Sequence, residues 1–320
     1  MIMPSLPVLV FPGQGAQAVG MGQDLAEAIP AVRALFARAD EVLGFGLTKT
    51  IFEGPEAALV DTAVQQPALV LMSLAVLKAL EETTGKPLQA AAAAGLSLGE
   101  YAALAAVGAL TFEDTLRLVR KRGELMAAAS ARVPCGMAVV IQLDETQIRK
   151  ACAAAAQETG GIVSLCNFNG GGQVVIGGAD AALLRAMELC KAAGARLVKK
   201  LPVAGAFHTA LMQPAADGLR EALARCAIAR ARAPVIANAT AAPVQEPGEI
   251  REALERQLTS PVLWEQSVKG LVAQGHFRFL ELGSGCTLSG MIRKIAPDAA
   301  AEAVGTWEEV QAFSFAEKAR

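Results

Sequence analysis

The stretch 133–204 constrains the fold more than any other part of this 320-residue chain. Residues 136–143 (GMAVVIQL) form a short apolar, β-branched run, and 145–157 carries helical periodicity. Two further strand-like runs, 161–168 and 173–178, are separated by the turn signal Gly170-Gly171-Gly172. A helix over 181–193 and a strand over 196–203 complete the order β-α-β-β-α-β, the split βαβ of ferredoxin-like folds. Around it, strands at 7–11, 90–96, 235–238 and 277–282 alternate with helical segments, among them 111–129, 210–225 and 249–258. Such alternation predicts an α/β fold with a mostly parallel sheet covered by helices on both faces. The expected organisation is a large α/β domain from 1–132 and 205–320, with a ferredoxin-like domain inserted at 133–204.

The apolar share of 53% and charged share of 19% argue against disorder. Net charge is −2 with no block of like charges, so no basic stripe for nucleic acid is expected. No apolar run reads as a membrane span; 90–110 comes nearest, interrupted by Glu100 and three glycines. The opening MIMPSLPVLVF lacks a basic n-region and a cleavage site, which predicts a cytoplasmic protein. Six scattered cysteines show no metal-ligand spacing and read as free thiols, and no metal is expected.

Gly95-Leu96-Ser97-Leu98-Gly99 matches G-x-S-x-G between an apolar run and a helical stretch starting at Glu100. A serine on a sharp strand-to-helix turn is exposed as a nucleophile, and the helix N-terminus behind it favours developing negative charge. The competing reading is a chance match in a small-residue turn. A serine hydroxyl needs a base. The chain has two histidines: His276 leads into an apolar strand and reads as a structural or surface residue, whereas His208 sits in the small-residue loop Gly205-Ala206-Phe207-His208 and is the candidate base. Gln14, flanked by glycines after the first strand, and Leu98, next to the serine, are the candidate oxyanion-hole donors through their backbone N–H groups.

The helix expected over 111–129 takes Thr111 as N-cap, with Asp114 closing a capping box. At about 100° per residue, Arg122 falls on the arc of Leu118, Val119, Leu125 and Met126 rather than with Arg117, Arg120, Lys121 and Glu124. A buried guanidinium needs acceptors. A carboxylate of the substrate, an internal salt bridge, or a helix loosened at Gly123 would each account for it.

Taken together, FPGQGAQ at 11–17, GLSLGEY at 95–101, RKRGELM at 120–126, NFNGGGQVVIGG at 167–178, GAFHTALM at 205–212 and RQLTSPVLW at 256–264 resemble the malonyl-CoA:acyl carrier protein transacylases of fatty-acid synthesis and the related acyltransferase domains of polyketide synthases. The resemblance runs in order over nearly the whole chain. It implies a hydrolase-like α/β domain carrying a ferredoxin-like insertion. It also implies roles: Ser97 takes the acyl group, His208 is the base, Arg122 binds the malonyl carboxylate, and Gln14 and Leu98 form the oxyanion hole. Gln257 matches the position whose backbone carbonyl orients the histidine, and Asn167 and Asn169 resemble residues near the pocket. Most relatives carry His before the serine, where this chain has Leu96, so pocket shape or acyl preference is open to change. Phe207 resembles the malonyl-selecting members of the polyketide branch.

The implied reaction moves malonyl from malonyl-CoA to Ser97 and on to the phosphopantetheine thiol of an acyl carrier protein. It needs no cofactor beyond the coenzyme A thioester substrate, follows ping-pong kinetics, and is expected of a monomer. The alternatives are a serine thioester hydrolase of the same fold and a non-catalytic binding module. Whether the carrier serves fatty-acid or polyketide synthesis is left open.

Overall fold

The structure, a computed structural model, describes residues 6–318, so Met1–Ser5 of the opening segment lie outside the described residues. In chain order the strands are β1 (Val8–Phe11), β2 (Ala92–Gly95), β3 (Cys135–Ile141), β4 (Val163–Gly170), β5 (Gln173–Ala179), β6 (Leu197–Lys200), β7 (Val235–Ile236), β8 (Pro243–Val244), β9 (Arg278–Leu282) and β10 (Ala300–Val304). The larger sheet has the order β10-β9-β1-β2-β7-β8. It is parallel from β10 to β7, with β8 antiparallel at the edge.

Both faces of this sheet are buried, which is why its central strands are apolar throughout rather than alternating. Leu9 and Phe11 point into one core, with the long helix Thr62–Thr84; Val8 and Val10 point into the other, with the helices Trp264–Ala273 and Thr287–Ile295. β2 is Ala-Ala-Ala-Gly and still a buried strand, held by register with β1 from Val8 opposite Ala92 to Phe11 opposite Gly95. Its small side chains suit close packing on both sides.

The second sheet is antiparallel, in the order β4-β5-β3-β6. With the helices Glu145–Thr159 and Asp180–Ala192 on one face, it has the ferredoxin-like topology expected. Met137, Cys166 and Val175 on its other face join the large core. Backbone bonds tie it there as well: Phe168 N–H donates to Val262 O (2.9 Å) and Val262 N–H to Cys166 O (2.8 Å).

Several sequence expectations need correction. The strand at 235–238 stops at Ile236, because the chain then turns back and Ala237 N–H bonds Ala242 O. The helix from 210 begins as a 3₁₀ turn, Ala210–Met212, before Gln213–Ala224. β10 (AAEAV) is a strand not among those expected; its composition favours a helix, and pairing with β9 along five residues overrides that propensity. Thr111 caps its helix by accepting the Asp114 N–H (3.1 Å), but Asp114 turns its carboxylate to Arg117 (3.3 Å), and among the described residues the box is not closed. Thr62–Thr84 is a helix long and apolar enough to cross a membrane, unlike 90–110, and 89% of its apolar window is buried within the protein.

Candidate active site

The carboxyl ends of β1, β2 and β7 lie side by side, and each delivers one part of the site. This is where parallel α/β sheets open a crevice for ligands. Phe11 leads into Pro12-Gly13-Gln14, Gly95 into Leu96-Ser97, and Ile236 into Ala237-Asn238.

Ser97 lies in the left-handed region (φ 52°), an uncommon conformation for a residue with a side chain. The surroundings hold it there. A Cβ on Gly95 would come within 2.0 Å of the Gly99 carbonyl carbon, and one on Gly99 within 2.0 Å of Phe11 O. The turn therefore seats the helix Gly99–Ala106 directly on β1, and both glycines of the pentapeptide are demanded by space.

Ser97 Oγ lies 2.8 Å from His208 Nε2, and His208 Nδ1 lies 2.9 Å from Gln257 O. A carbonyl only accepts, so the proton sits on Nδ1 and Nε2 is left free to accept from the serine. His208 is buried and also has positive φ (62°), in a turn closed by Thr209 Oγ1 donating to Ala206 O (2.6 Å). Burial foremost, then the nearby Arg122 charge, lower its pKa to about 4 against the carbonyls of Gln257 and Ser260. His276 is half-buried two residues before β9 and takes no part in this cluster.

Arg122 is fully buried on the helix Phe112–Ser130, as its phase on the sequence predicts. Its Nη1 donates to Gln66 Oε1 (2.8 Å), and Nη2 donates to Ser97 Oγ (2.9 Å) and Gln257 Oε1 (3.0 Å). The guanidinium carbon stands 5.5 Å from the Tyr101 ring centroid. Among the described residues Arg122 forms no ion pair, although Arg117 and Arg120 of the same helix do, and its Nε has no partner. The internal salt bridge is thus not what accounts for it. Nor is a loosened helix: Gly123 is helical, and its missing Cβ lets Thr62 O approach.

Gln14 is half-buried, and its side-chain Nε2 donates to Gln65 Oε1 on the long helix, anchoring the loop. Neither the Gln14 nor the Leu98 backbone N–H has an acceptor among the described residues. Phe207 is buried beside His208, and Asn169 is buried with an Oδ1 that has no partner among the described residues. Asn167 is half-buried and bridges to Val262. Leu96 packs against the core on the opposite face of the sheet, beside Val8, Val10 and Trp264. Leu96→His is accordingly expected to leave acyl transfer within about tenfold, or 1.4 kcal/mol, in a steady-state assay. A much larger gain would mean that the native chain is impaired or built for another acyl group.

Three side chains of the cluster escaped sequence reasoning. Asn238 Oδ1 accepts the Ser97 N–H (2.6 Å), and its Nδ2 donates to Gly95 O (2.7 Å). Glu100 is buried and accepts from Gln257 Nε2 (2.7 Å) and Asn238 N–H (3.2 Å). Burial raises its pKa to about 7, opposed by those two bonds and by Arg122. Gln66 is the third, and a signal for it existed: Gln65-Gln66 interrupts the apolar run from Ala63 to Met72.

A strained serine, a neutral buried histidine 2.8 Å away and backbone N–H groups at Leu98 and Gln14 that have no acceptor among the described residues define the class: a serine-nucleophile site on a hydrolase-like α/β sheet. The chain belongs to the acyl transferase domain family, which matches residues 8–318. A malonyl CoA-acyl carrier protein transacylase of Bacillus subtilis (strain 168) is 43% identical over 289 residues, 89% of each chain. An acyl carrier protein S-malonyltransferase structure from Vibrio cholerae O1 biovar eltor superposes with a TM-score of 0.91 at 42% identity, covering 97% of this chain and 100% of that one. A malonyl-transacylase solved in complex with a type II PKS acyl carrier protein gives 0.91 at 41% identity, covering 96% and 98%.

Proposed function

We propose that this chain transfers malonyl from malonyl-CoA to the phosphopantetheine thiol of an acyl carrier protein, through a malonyl ester on Ser97. The observation that carries the reading is Arg122: a buried guanidinium that pairs with no carboxylate among the described residues, 2.9 Å from the nucleophilic oxygen. An acyl group with a terminal carboxylate supplies the missing partner bidentately. The names of the relatives agree with this choice.

In the first half-reaction His208 Nε2 takes the Ser97 proton as Oγ attacks the thioester carbonyl carbon. The N–H groups of Gln14 and Leu98 receive the oxyanion. Collapse breaks the C–S bond, His208 returns its proton to the coenzyme A sulfur, and the malonyl ester remains. The carrier thiol then repeats the sequence, giving its proton to His208 and freeing Ser97. The Gln257 carbonyl holds the imidazole in place of a triad carboxylate, while Phe207, Asn169 and Asn167 border the acyl pocket; Leu96, packed on the other core, bears on it only through the turn that carries Ser97. The large unit 1–132 and 205–320, the inserted unit 133–204, a monomeric state and a cytoplasmic location complete the proposal. The test is incubation with malonyl-CoA followed by peptide mass spectrometry: the malonyl adduct is expected on Ser97 and is expected to leave on addition of carrier protein. An adduct on a cysteine, or loss to water alone with carrier present, would overturn it.

A further inference from the structure

Beyond the residues that touch the acyl group, we infer that Glu100 is a positioning residue for this reaction, a buried acceptor that fastens the serine's backbone and the histidine's support to one point. The inference rests on the reading of Ser97 and His208 given above. Glu100 lies in the first turn of the helix Gly99–Ala106, where an acid is favoured by the helix dipole. Its hydrogen bonds, however, run outward to two other segments. One carboxylate oxygen, Oε2, accepts from Gln257 Nε2 at 2.7 Å and from the Asn238 backbone N–H at 3.2 Å.

Each partner holds one half of the reacting pair. Gln257 accepts His208 Nδ1 on its carbonyl (2.9 Å), and its side chain donates to Ser97 O (2.9 Å). Asn238 accepts the Ser97 N–H on Oδ1 (2.6 Å). Segments near positions 97, 238 and 257 thus converge on a single oxygen. Both backbone polar groups of Ser97, whose φ is 52°, are held: the N–H by Asn238 Oδ1, and the carbonyl by Gln257 Nε2 together with the Glu100 N–H (3.2 Å). An apolar side chain at position 100 would leave the Asn238 N–H and one Gln257 Nε2 hydrogen without their acceptor and loosen both anchors. The charged and titratable groups facing Glu100 are Arg122, Tyr101 and, across Gln257, His208. Because either protonation state retains an acceptor oxygen, the role is that of an acceptor rather than of a charge.

The experiment compares Glu100→Leu and Glu100→Gln in the full chain. Single-turnover acylation of Ser97 is followed over a range of malonyl-CoA concentrations, with thermal melting alongside. Glu100→Leu is expected to lower the maximal acylation rate about a hundredfold, the scale of a small misplacement of reacting groups, with the half-saturating concentration little changed. Glu100→Gln, which can place its carbonyl oxygen where Oε2 stands, is expected to stay within about tenfold of wild type. A folded leucine variant at the wild-type rate, a loss confined to half-saturation, or a glutamine variant as slow as leucine would each overturn the inference. Should the leucine variant not fold, Glu100→Asp carries the test. It retracts the oxygens by one methylene, so the same loss of maximal rate supports the inference and wild-type kinetics overturn it. Labelling with a small fluorophosphonate, which needs Ser97 and His208 but no malonyl group, is run in parallel. That arm reports on Glu100 even if malonyl is the wrong acyl group.

Discussion

Replacing His208 by alanine is expected to lower the rate of Ser97 acylation by about four orders of magnitude, the upper end of what a positioned general base contributes. The expectation comes from geometry. His208 Nε2 is the base within reach of Ser97 Oγ, at 2.8 Å. The other group on that oxygen, Arg122 Nη2, can only donate to it. Truncation would leave the Gln257 carbonyl without its imidazole partner, so thermal melting must accompany the kinetics. A folded variant that retained acylation within about tenfold would remove His208 from its role.

The same histidine is expected to set the acid side of the pH profile. Its pKa of about 4 means that it stays neutral, and able to accept a proton, well below the value of 6.5 for a free imidazole. Acylation is therefore expected to hold level as pH falls below neutrality and to decline only near pH 4. Glu100, titrating near 7, keeps an acceptor oxygen in either state, so no step is expected there. Stability has the matching sign. The unfolded chain binds the proton first, so this histidine's contribution is complete above 6.5 and lost as pH falls toward about 4.

What sequence reasoning could reach follows from how local each signal is. Ser97 was legible because its turn, two crowding glycines and helix are consecutive in the chain. His208 was legible by scarcity and by its small-residue loop. Arg122 was legible because helical phase is a local property, and the burial it implied is what the structure has. The ferredoxin-like insertion was readable because its strands and helices follow one another in simple order. Asn238 was not readable: it meets Ser97 across 141 positions, only because β7 lies beside β2, and nothing near 238 announces that neighbour. Glu100 was masked by an ordinary explanation, since an acid in a first helical turn needs none beyond the dipole. β10 was not among the strands expected, because Ala-Ala-Glu-Ala-Val carries little strand signal and its strand form is imposed by pairing with β9.

Arg122→Ala is expected to change which acyl group the enzyme accepts. In the structure the guanidinium is satisfied by neutral oxygens of Gln66, Ser97 and Gln257, and its Nε has no partner among the described residues. Burial also lowers its pKa, so the charge is held at a cost that an arriving carboxylate would relieve. Without the arginine, the malonyl carboxylate would enter a partly dry pocket unpaired. Breaking a buried ion pair from one side costs roughly 3–5 kcal/mol. At about 1.4 kcal/mol per tenfold, malonyl transfer is expected to fall by roughly two to four orders of magnitude. Acetyl-CoA brings no carboxylate, so its transfer is expected to fall less, or to rise as the pocket loses an unpaired charge. Because Arg122 also donates to Ser97 Oγ, some loss common to both substrates follows from disturbing the nucleophile itself, and the ratio of the two rates isolates the carboxylate. The measurement is malonyl and acetyl loading of wild type and Arg122→Ala, with thermal melting to confirm folding. An equal loss of both activities in a folded variant would mean that the guanidinium serves only to hold Ser97 and Gln257 in place, and the carboxylate clamp would be excluded.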